Sequence, residues 1–205
     1  SGQAKQYLPV NGDETLIDLA IQRALAIIKN QKDGRLIIVA AASHIEDLQR
    51  TIFNIPPESR GKLILIAEPQ ARNTAPALAL ATAFIQRTRG NKATAIVLTS
   101  DHLISPMEEF LQNVAQAYRL AKEGWLSIFG IPPSYPATGF GYIECGSEIP
   151  EHLPARKVLA FVEKPELKRA KLFLSEKNRQ NYFWNSGMFC FSIDTIHRAY
   201  EALAG

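Results

Sequence analysis

The fold is decided by three consecutive segments: LIIVAAA at residues 36–42, SHIEDLQRTIFN at 43–54 and LILIA at 63–67. The two apolar runs are short and contain β-branched residues, a pattern typical of buried strands. The middle segment favours a helix, since Ser43 and Glu46 have the spacing of a capping box. A strand, a helix and a second strand in this order predict parallel pairing of the two strands.

The same alternation continues on both sides of these segments. Thr74 is predicted to cap the helix that follows them, and Ser105 and Glu108 repeat the capping-box spacing at a later helix start. The additional elements are predicted helices at 13–30, 74–89 and 105–122 and predicted strands at 95–99 and 126–129. This order predicts an α/β domain with an open, mostly parallel Rossmann-like sheet that has helices on both faces.

The last third of the chain has a different pattern. Strands are predicted at 139–145, 157–164 and 182–192, with one helix at 166–178. We interpret this part as a small β-rich extension of the sheet, built over the mouth of the ligand site. Since no linker or repeat separates it from the rest, residues 1–205 are predicted to form one domain.

Composition narrows the class of protein. The chain has 205 residues, of which 46% are hydrophobic, and its net charge is only +3. This charge is too small to indicate binding to nucleic acid or to a membrane surface, and no apolar run has the length of a membrane span. Cys145 and Cys190 form no metal or disulfide motif, so they are predicted to be reduced core thiols. With no leader-like segment at its start, the chain is predicted to be cytoplasmic.

Ligands of open α/β sheets bind at the carboxyl ends of the strands, so the loops after strands are the candidate sites. EPQARNTAP at 68–76 runs from a strand end to a helix start, a place that favours anions. Arg72 in this loop has the reach for a phosphate or the acceptor edge of a purine. A capped loop with a surface arginine explains the same residues equally well.

A second candidate loop is TSDH at 99–102, directly after a predicted strand. Asp101 offers a carboxylate to a hard cation such as Mg²⁺, which needs only one or two protein carboxylates. The alternative is an aspartate that caps the turn. His102 has no second histidine at ligand spacing and is interpreted as a hydrogen-bonding loop residue.

Three further segments carry weaker signals. In TGFGYI at 138–143 the glycines allow close approach of a ligand to the backbone, although a simple strand bend also explains them. Glu163 and Lys164 serve one ligand together only if their strand breaks up before Pro165, since neighbouring strand residues point to opposite faces. A surface ion pair is the alternative explanation of these two residues. Asn185 offers donors and an acceptor that suit sugar hydroxyls.

Together, the order and spacing of these segments resemble the nucleotidyltransferase domain of mannose-1-phosphate guanylyltransferases, a sugar nucleotidyltransferase family of the nucleotide-diphospho-sugar transferase fold. The similarity covers essentially the whole chain. The most specific segment is EPQARNTAPA at 68–77, which resembles the family's nucleotide loop. The other matching segments are AKQYL at 4–8, SDH at 100–102, ATGFGYI at 137–143, FVEKP at 161–165 and WNSGMF at 184–189.

The resemblance implies transfer of a nucleotidyl group from GTP to mannose 1-phosphate with Mg²⁺, giving GDP-mannose and pyrophosphate, and it allows a homodimer. It implies catalytic roles for Lys5, Asp101 and Lys164, of which Asp101 holds the metal. It also implies two binding groups: Arg72, Asn73, Thr74 and Ser100 for the nucleotide, and Gly141, Glu163, Lys164 and Asn185 for the sugar phosphate.

The chain departs from the family pattern at both ends. Only Ser1, Gly2 and Gln3 stand before the first matching segment, where the family has a strand and a Gly-rich loop. A second metal-binding aspartate and a C-terminal part are also expected but not found, so the domain is predicted to be incomplete. Two alternatives therefore stay open: a non-catalytic regulatory subunit that binds a sugar nucleotide, and the same reaction with another hexose or nucleotide.

Overall fold

The computed structural model describes residues 5–7, 9–68 and 74–204. Helices and strands alternate through most of this range, as the sequence predicts. The strands are β1 (Pro9–Asn11), β2 (Glu14–Thr15), β3 (Leu36–Ala41), β4 (Leu63–Glu68), β5 (Thr94–Val97), β6 (Ser127–Ile131), β7 (Tyr142–Glu148), β8 (Arg156–Val162) and β9 (Tyr182–Ser192). The helices are α1 (Leu16–Ile27), α2 (Ile45–Phe53), α3 (Pro57–Arg60), α4 (Thr74–Arg89), α5 (Met107–Lys122), α6 (Leu167–Phe173) and α7 (Ile193–Ala204).

The deciding segments fold as predicted. β3 and β4 pair in parallel with an unbroken register from Leu36 opposite Leu63 to Ala41 opposite Glu68. Alternate β3 residues face the same cluster as the buried residues of α1 and α2. This cluster contains Ile17, Ile21 and Leu48, with Leu36, Ile38, Ala40 and Leu65 packed against it. The α/β class is thereby confirmed.

β1 and β2 form a separate two-stranded sheet, and β5 to β9 form a five-stranded sheet centred on β9. β5 and β6 lie on opposite edges of β9, and both are antiparallel to it. They therefore run in the same direction, as predicted, but they are not direct hydrogen-bonding partners. β9 occupies the place between them because its apolar stretch is buried on both faces, with Met188, Cys190 and Phe191 all inaccessible or nearly so.

The predicted β-rich extension is continuous with this sheet. β7 pairs with the first part of β9 and with β8, in both cases antiparallel. α6 covers this region, where Ala170 and Phe173 pack against buried Tyr142. On the other part of the sheet, α5 places Phe110 and Val114 against Met188.

Both cysteines are free, as predicted. Cys190 lies in the core between α5 and the sheet, where burial raises the pKa of its thiol to about 12. Cys145 on β7 is half-buried. None of the helices in the described ranges has the length and apolarity needed to cross a bilayer.

The predicted helix starts require correction. A 3₁₀ turn over Ala42–His44 includes Ser43, and α2 begins at Ile45 without a side-chain cap. Ser43 is thus inside the turn rather than in the extended conformation that a capping residue needs. α5 begins at Met107 after Pro106, also without a side-chain cap, so the predicted box at Ser105 and Glu108 is absent too.

The capping box that does form was not predicted. Thr15 precedes α1, its hydroxyl accepts from the Asp18 amide, and the Asp18 carboxylate accepts from the Thr15 amide. Sequence reasoning placed the start of this helix at residue 13 and so overlooked the pair. It also extended α6 to residue 178, and it did not predict α7 or the β1–β2 hairpin.

We expect Thr15→Ala to lower the free energy of unfolding by about 1 kcal/mol, because it removes a capping hydroxyl. Urea denaturation followed by circular dichroism measures the change. Ser43→Ala is the matched control and should change stability by less than about 0.5 kcal/mol. An equal loss for both variants would contradict the assignment of the cap.

Candidate functional site

The first part of the site is the loop that follows β5. Asp101 lies in this loop with its side chain 54% accessible, and its Oδ1 is 3.9 Å from Nε2 of His102. Half-buried Ser100 precedes it. An accessible carboxylate beyond a strand end fits a hard cation that takes most of its ligands from phosphate and water. Among the described residues, no three His, Cys, Asp or Glu side chains cluster as a complete metal site.

Arg23 of α1 is hydrogen-bonded to the backbone of this loop at two positions. Its Nη1 donates to the backbone oxygen of His102 at 3.1 Å, and its Nη2 donates to that of Thr99 at 3.2 Å. Sequence reasoning missed this residue. The available signal was a single arginine within the stripe of α1 that also buries Ala20, Ile21 and Ala24.

The second part of the site is the contact between β9 and the segment before β7. The amide of Asn185 donates to the backbone oxygen of Gly141 at 2.8 Å. The Asn185 side chain accepts from the Gly187 amide at 3.1 Å. Gly187 has a φ of 72° and lies directly against Thr99, since a Cβ added to it would be 3.4 Å from the Thr99 methyl carbon.

The third part is the end of β8. The strand stops at Val162, two residues before its predicted end, so Glu163 and Lys164 lie beyond it. This meets the condition under which the two residues could serve one ligand. Lys164 has a φ of 40°, and its Nζ lies 3.5 Å from Oε1 of Glu163. The Glu163 carboxylate also reaches Gly141, where an added Cβ would be 2.9 Å from Oε2. Both charged side chains therefore share one side of the chain.

These contacts form one continuous path. Gly187 donates a hydrogen bond to Asn185, Asn185 donates one to Gly141, and Glu163 pairs with Lys164. Thr99 lies beside Gly187, and Glu163 lies beside Gly141, each at the place that a Cβ of the glycine would face. The predicted residues Asp101, Gly141, Glu163, Lys164 and Asn185 thus belong to segments that meet. The arrangement combines accessible charges of both signs with a backbone that lacks a side chain at Gly141, which suits a phosphorylated, hydroxyl-rich ligand.

An open cleft of about 450 Å³ borders the path on the α5 side. Asp101 contributes to its wall, while Gly141, Glu163, Lys164 and Asn185 do not. The remaining wall comes from the loop after β5, one face of α5, the middle of β6 and Met188. Among the predicted site residues that the structure describes, Asp101 is the one that lines this cleft.

The other predicted site residues are not placed by these contacts. Arg72 and Asn73 lie outside the described residues. Thr74 is the first residue of α4 and is exposed. Lys5 begins a 3₁₀ turn over Lys5–Tyr7, but its side chain is outside the described part of the structure.

Comparison with known proteins gives a consistent result. The family model described as nucleotidyl transferase matches residues 1–203. A mannose-1-phosphate guanylyltransferase of Sinorhizobium fredii is 36% identical over 94% of this chain and 36% of its own length. The alginate biosynthesis protein AlgA of Pseudomonas syringae is 35% identical over 91% of this chain and 36% of its own length. The chain thus spans little more than a third of these curated relatives.

Two solved structures share the fold. A protein of Thermus thermophilus, described as a mannose-1-phosphate geranyltransferase, has a TM-score of 0.78 and 25% identity over 96% of this chain and 53% of its own. A Helicobacter pylori protein described as a mannose-6-phosphate isomerase has a TM-score of 0.78 and 28% identity over 94% of this chain and 67% of its own.

We expect Gly141→Ala to lower the free energy of unfolding by about 1 kcal/mol, the low end of the cost of overpacking, because the atoms that it meets belong to exposed side chains. The new methyl group would meet Cζ of Phe161 at 2.8 Å and the Glu163 carboxylate at 2.9 Å, so both side chains must move. Gly139→Ala is the matched control, because a Cβ there meets nothing within 4 Å. Chemical denaturation of both variants tests the difference, and equal stabilities would refute the close approach.

Proposed function

Because the chain belongs to the nucleotidyl transferase family, we propose that it contains the nucleotide-binding domain of an enzyme that transfers the nucleotidyl group of GTP to mannose 1-phosphate. The products are GDP-mannose and pyrophosphate. The observation that carries this proposal is the path of neighbouring residues from Thr99 to Lys164, which runs from the loop of Asp101 to the residues assigned to the sugar phosphate. The names of the relatives support the choice of guanine nucleotide and mannose.

The proposed reaction is an in-line displacement at phosphorus. A phosphate oxygen of the sugar phosphate forms a bond to the α-phosphorus of GTP, the bond between this phosphorus and the bridging oxygen breaks, and pyrophosphate leaves. No protein nucleophile is required, so catalysis depends on alignment and on neutralisation of charge. The residues of the chain act by holding two anionic reactants side by side.

Each part of the site has a role in this alignment. The accessible ammonium group of Lys164 would hold the attacking phosphate. Glu163 would accept hydrogen bonds from sugar hydroxyls, and the side-chain Nδ2 of Asn185 would donate to them. Gly141 would let the sugar approach the backbone. Arg72, Asn73, Thr74 and Ser100 are assigned to the nucleotide, and Lys5 to the charge of its phosphates.

A divalent cation fits the proposal, with Mg²⁺ as the assigned ion. Asp101 would hold it, because its carboxylate is accessible and lies beyond the end of β5. When bound, Mg²⁺ would neutralise negative charge on the triphosphate. The role of Asp101 is then to fix where this neutralisation occurs relative to the reactants.

The setting of the enzyme is also part of the proposal. We assign the reaction to the cytoplasm, in keeping with the two free cysteines. Residues 1–205 are treated as part of one nucleotidyltransferase domain, and a homodimer is compatible with the assignment. Size-exclusion chromatography with light scattering of the full-length protein tests the last point.

We expect Asp101→Asn in the full-length protein to lower kcat by roughly 100-fold or more, the scale of losing a major electrostatic element. Pyrophosphate release from GTP and mannose 1-phosphate measures the effect. Asp194→Asn is the control, because Asp194 is an exposed residue of α7 paired only with Arg198. Wild-type turnover of Asp101→Asn would remove Asp101 from the metal role. Absence of pyrophosphate release by the wild-type protein would favour the non-catalytic regulatory subunit.

A second prediction concerns the choice of base and sugar. We expect Arg72→Ala to reduce the preference for GTP over ATP, measured as the ratio of kcat/KM values, by roughly 10-fold, the scale of one lost charged contact. A panel of hexose 1-phosphates run on the wild-type protein identifies the sugar. An unchanged ratio in the variant would mean that Arg72 does not read the base.

A further inference from the structure

α1 carries a buried positive charge beneath the loop of Asp101. Arg23 is only 1% exposed, although arginine is rarely buried to this extent without an acidic partner. None of the ion pairs found within residues 5–7, 9–68 and 74–204 includes its guanidinium. Burying an unpaired cation costs free energy, so stability alone does not explain an arginine at this position.

The Arg23 guanidinium forms hydrogen bonds with the backbone at both ends of the loop of Asp101. Its two terminal nitrogens donate to the carbonyl oxygens of Thr99 and His102, the residues that flank Ser100 and Asp101. A planar fork with fixed donor directions sets the distance between these two carbonyl groups, which a flexible side chain cannot do. The Phe110 ring of α5 lies 6.0 Å from the guanidinium carbon and limits its movement on a second side.

We propose that Arg23 is a positioning residue, which holds the backbone from Thr99 to His102 so that the Asp101 carboxylate is presented to the divalent cation and the nucleotide. This inference rests on the role of Asp101 proposed above. Burial lowers the pKa of Arg23 from its ordinary value, yet an arginine stays charged at any physiological pH. The hydrogen bonds from Arg23 to the loop backbone therefore do not depend on pH in the physiological range.

Arg156 provides a matched control. Like Arg23, it uses its guanidinium to hold backbone carbonyl groups, here those of Cys145, Gly146 and Gln180, together with the Asn181 side chain. These partners lie on β7 and in the residues directly before β9, and none of them belongs to the loop of Asp101. Loss of either arginine should lower stability, but only loss of Arg23 should disturb the loop.

The test uses the full-length protein with GTP and with Mn²⁺ as the probe ion. Binding of Mn²⁺ to the protein–GTP complex is measured by the loss of the free-ion EPR signal, without sugar phosphate, so no turnover is needed. The variants are Arg23→Met, Arg23→Lys, Arg156→Met and Asp101→Asn. Thermal unfolding of each variant sets a temperature at which all of them are folded.

We expect Arg23→Met to weaken Mn²⁺ binding by about 10-fold or more, the usual effect of removing a residue that orients a metal ligand. Arg23→Lys should recover part of this loss, and Arg156→Met should lower the melting temperature while leaving Mn²⁺ affinity unchanged. Equal Mn²⁺ affinity in wild type and Arg23→Met would overturn the inference, and Arg23→Lys gives the same test if Arg23→Met does not fold. Unchanged affinity in Asp101→Asn would instead refute the metal role of Asp101, so the two failures are distinguishable.

Discussion

The hydrogen bonding of β9 on both of its edges is the constraint on which the site depends. The second half of the strand pairs with β5 on one edge and with β6 on the other, while its first half pairs with β6 and β7. The change of neighbour from β5 to β7 occurs near Gly187, where φ is positive. One strand therefore lies next to both the loop after β5 and the segment before β7, and its residue Asn185 is hydrogen-bonded to Gly141 of that segment.

The charged side chains of the site differ in burial and in how firmly they are held. The guanidinium of Arg23 is buried and held by two carbonyl groups, whereas the side chains of Asp101, Glu163 and Lys164 are more than half accessible. Accessible charges keep most of their hydration and are screened by solvent, so an ion pair such as Glu163 with Lys164 stabilises the fold little. Glu163 and Lys164 can therefore give up their ion pair for contacts with a ligand at little cost. The loop backbone that Arg23 holds keeps its conformation meanwhile.

Local patterns in the sequence were sufficient to predict most of the fold. Apolar runs and helical spacing predicted β3, β4, β9 and the helices between the strands. The strand of Glu163 and Lys164 was predicted to reach residue 164, two residues beyond the end of β8. Long-range pairing was not predictable in this way, since nothing near residues 94–97 or 127–131 indicates that residues 182–192 lie between them. The same reason explains why Arg23 was missed: its partners are 76 and 79 residues away in sequence.

The backbone of Lys164 has a further consequence for the evolution of this chain. With φ at 40°, a residue with a side chain sits in a left-handed conformation that costs on the order of 1 kcal/mol, and glycine would adopt it freely. Replacement by glycine would therefore relieve strain while deleting the ammonium group that the proposed chemistry requires. Under the proposed role of Lys164, stability would favour glycine at this position and turnover would favour lysine.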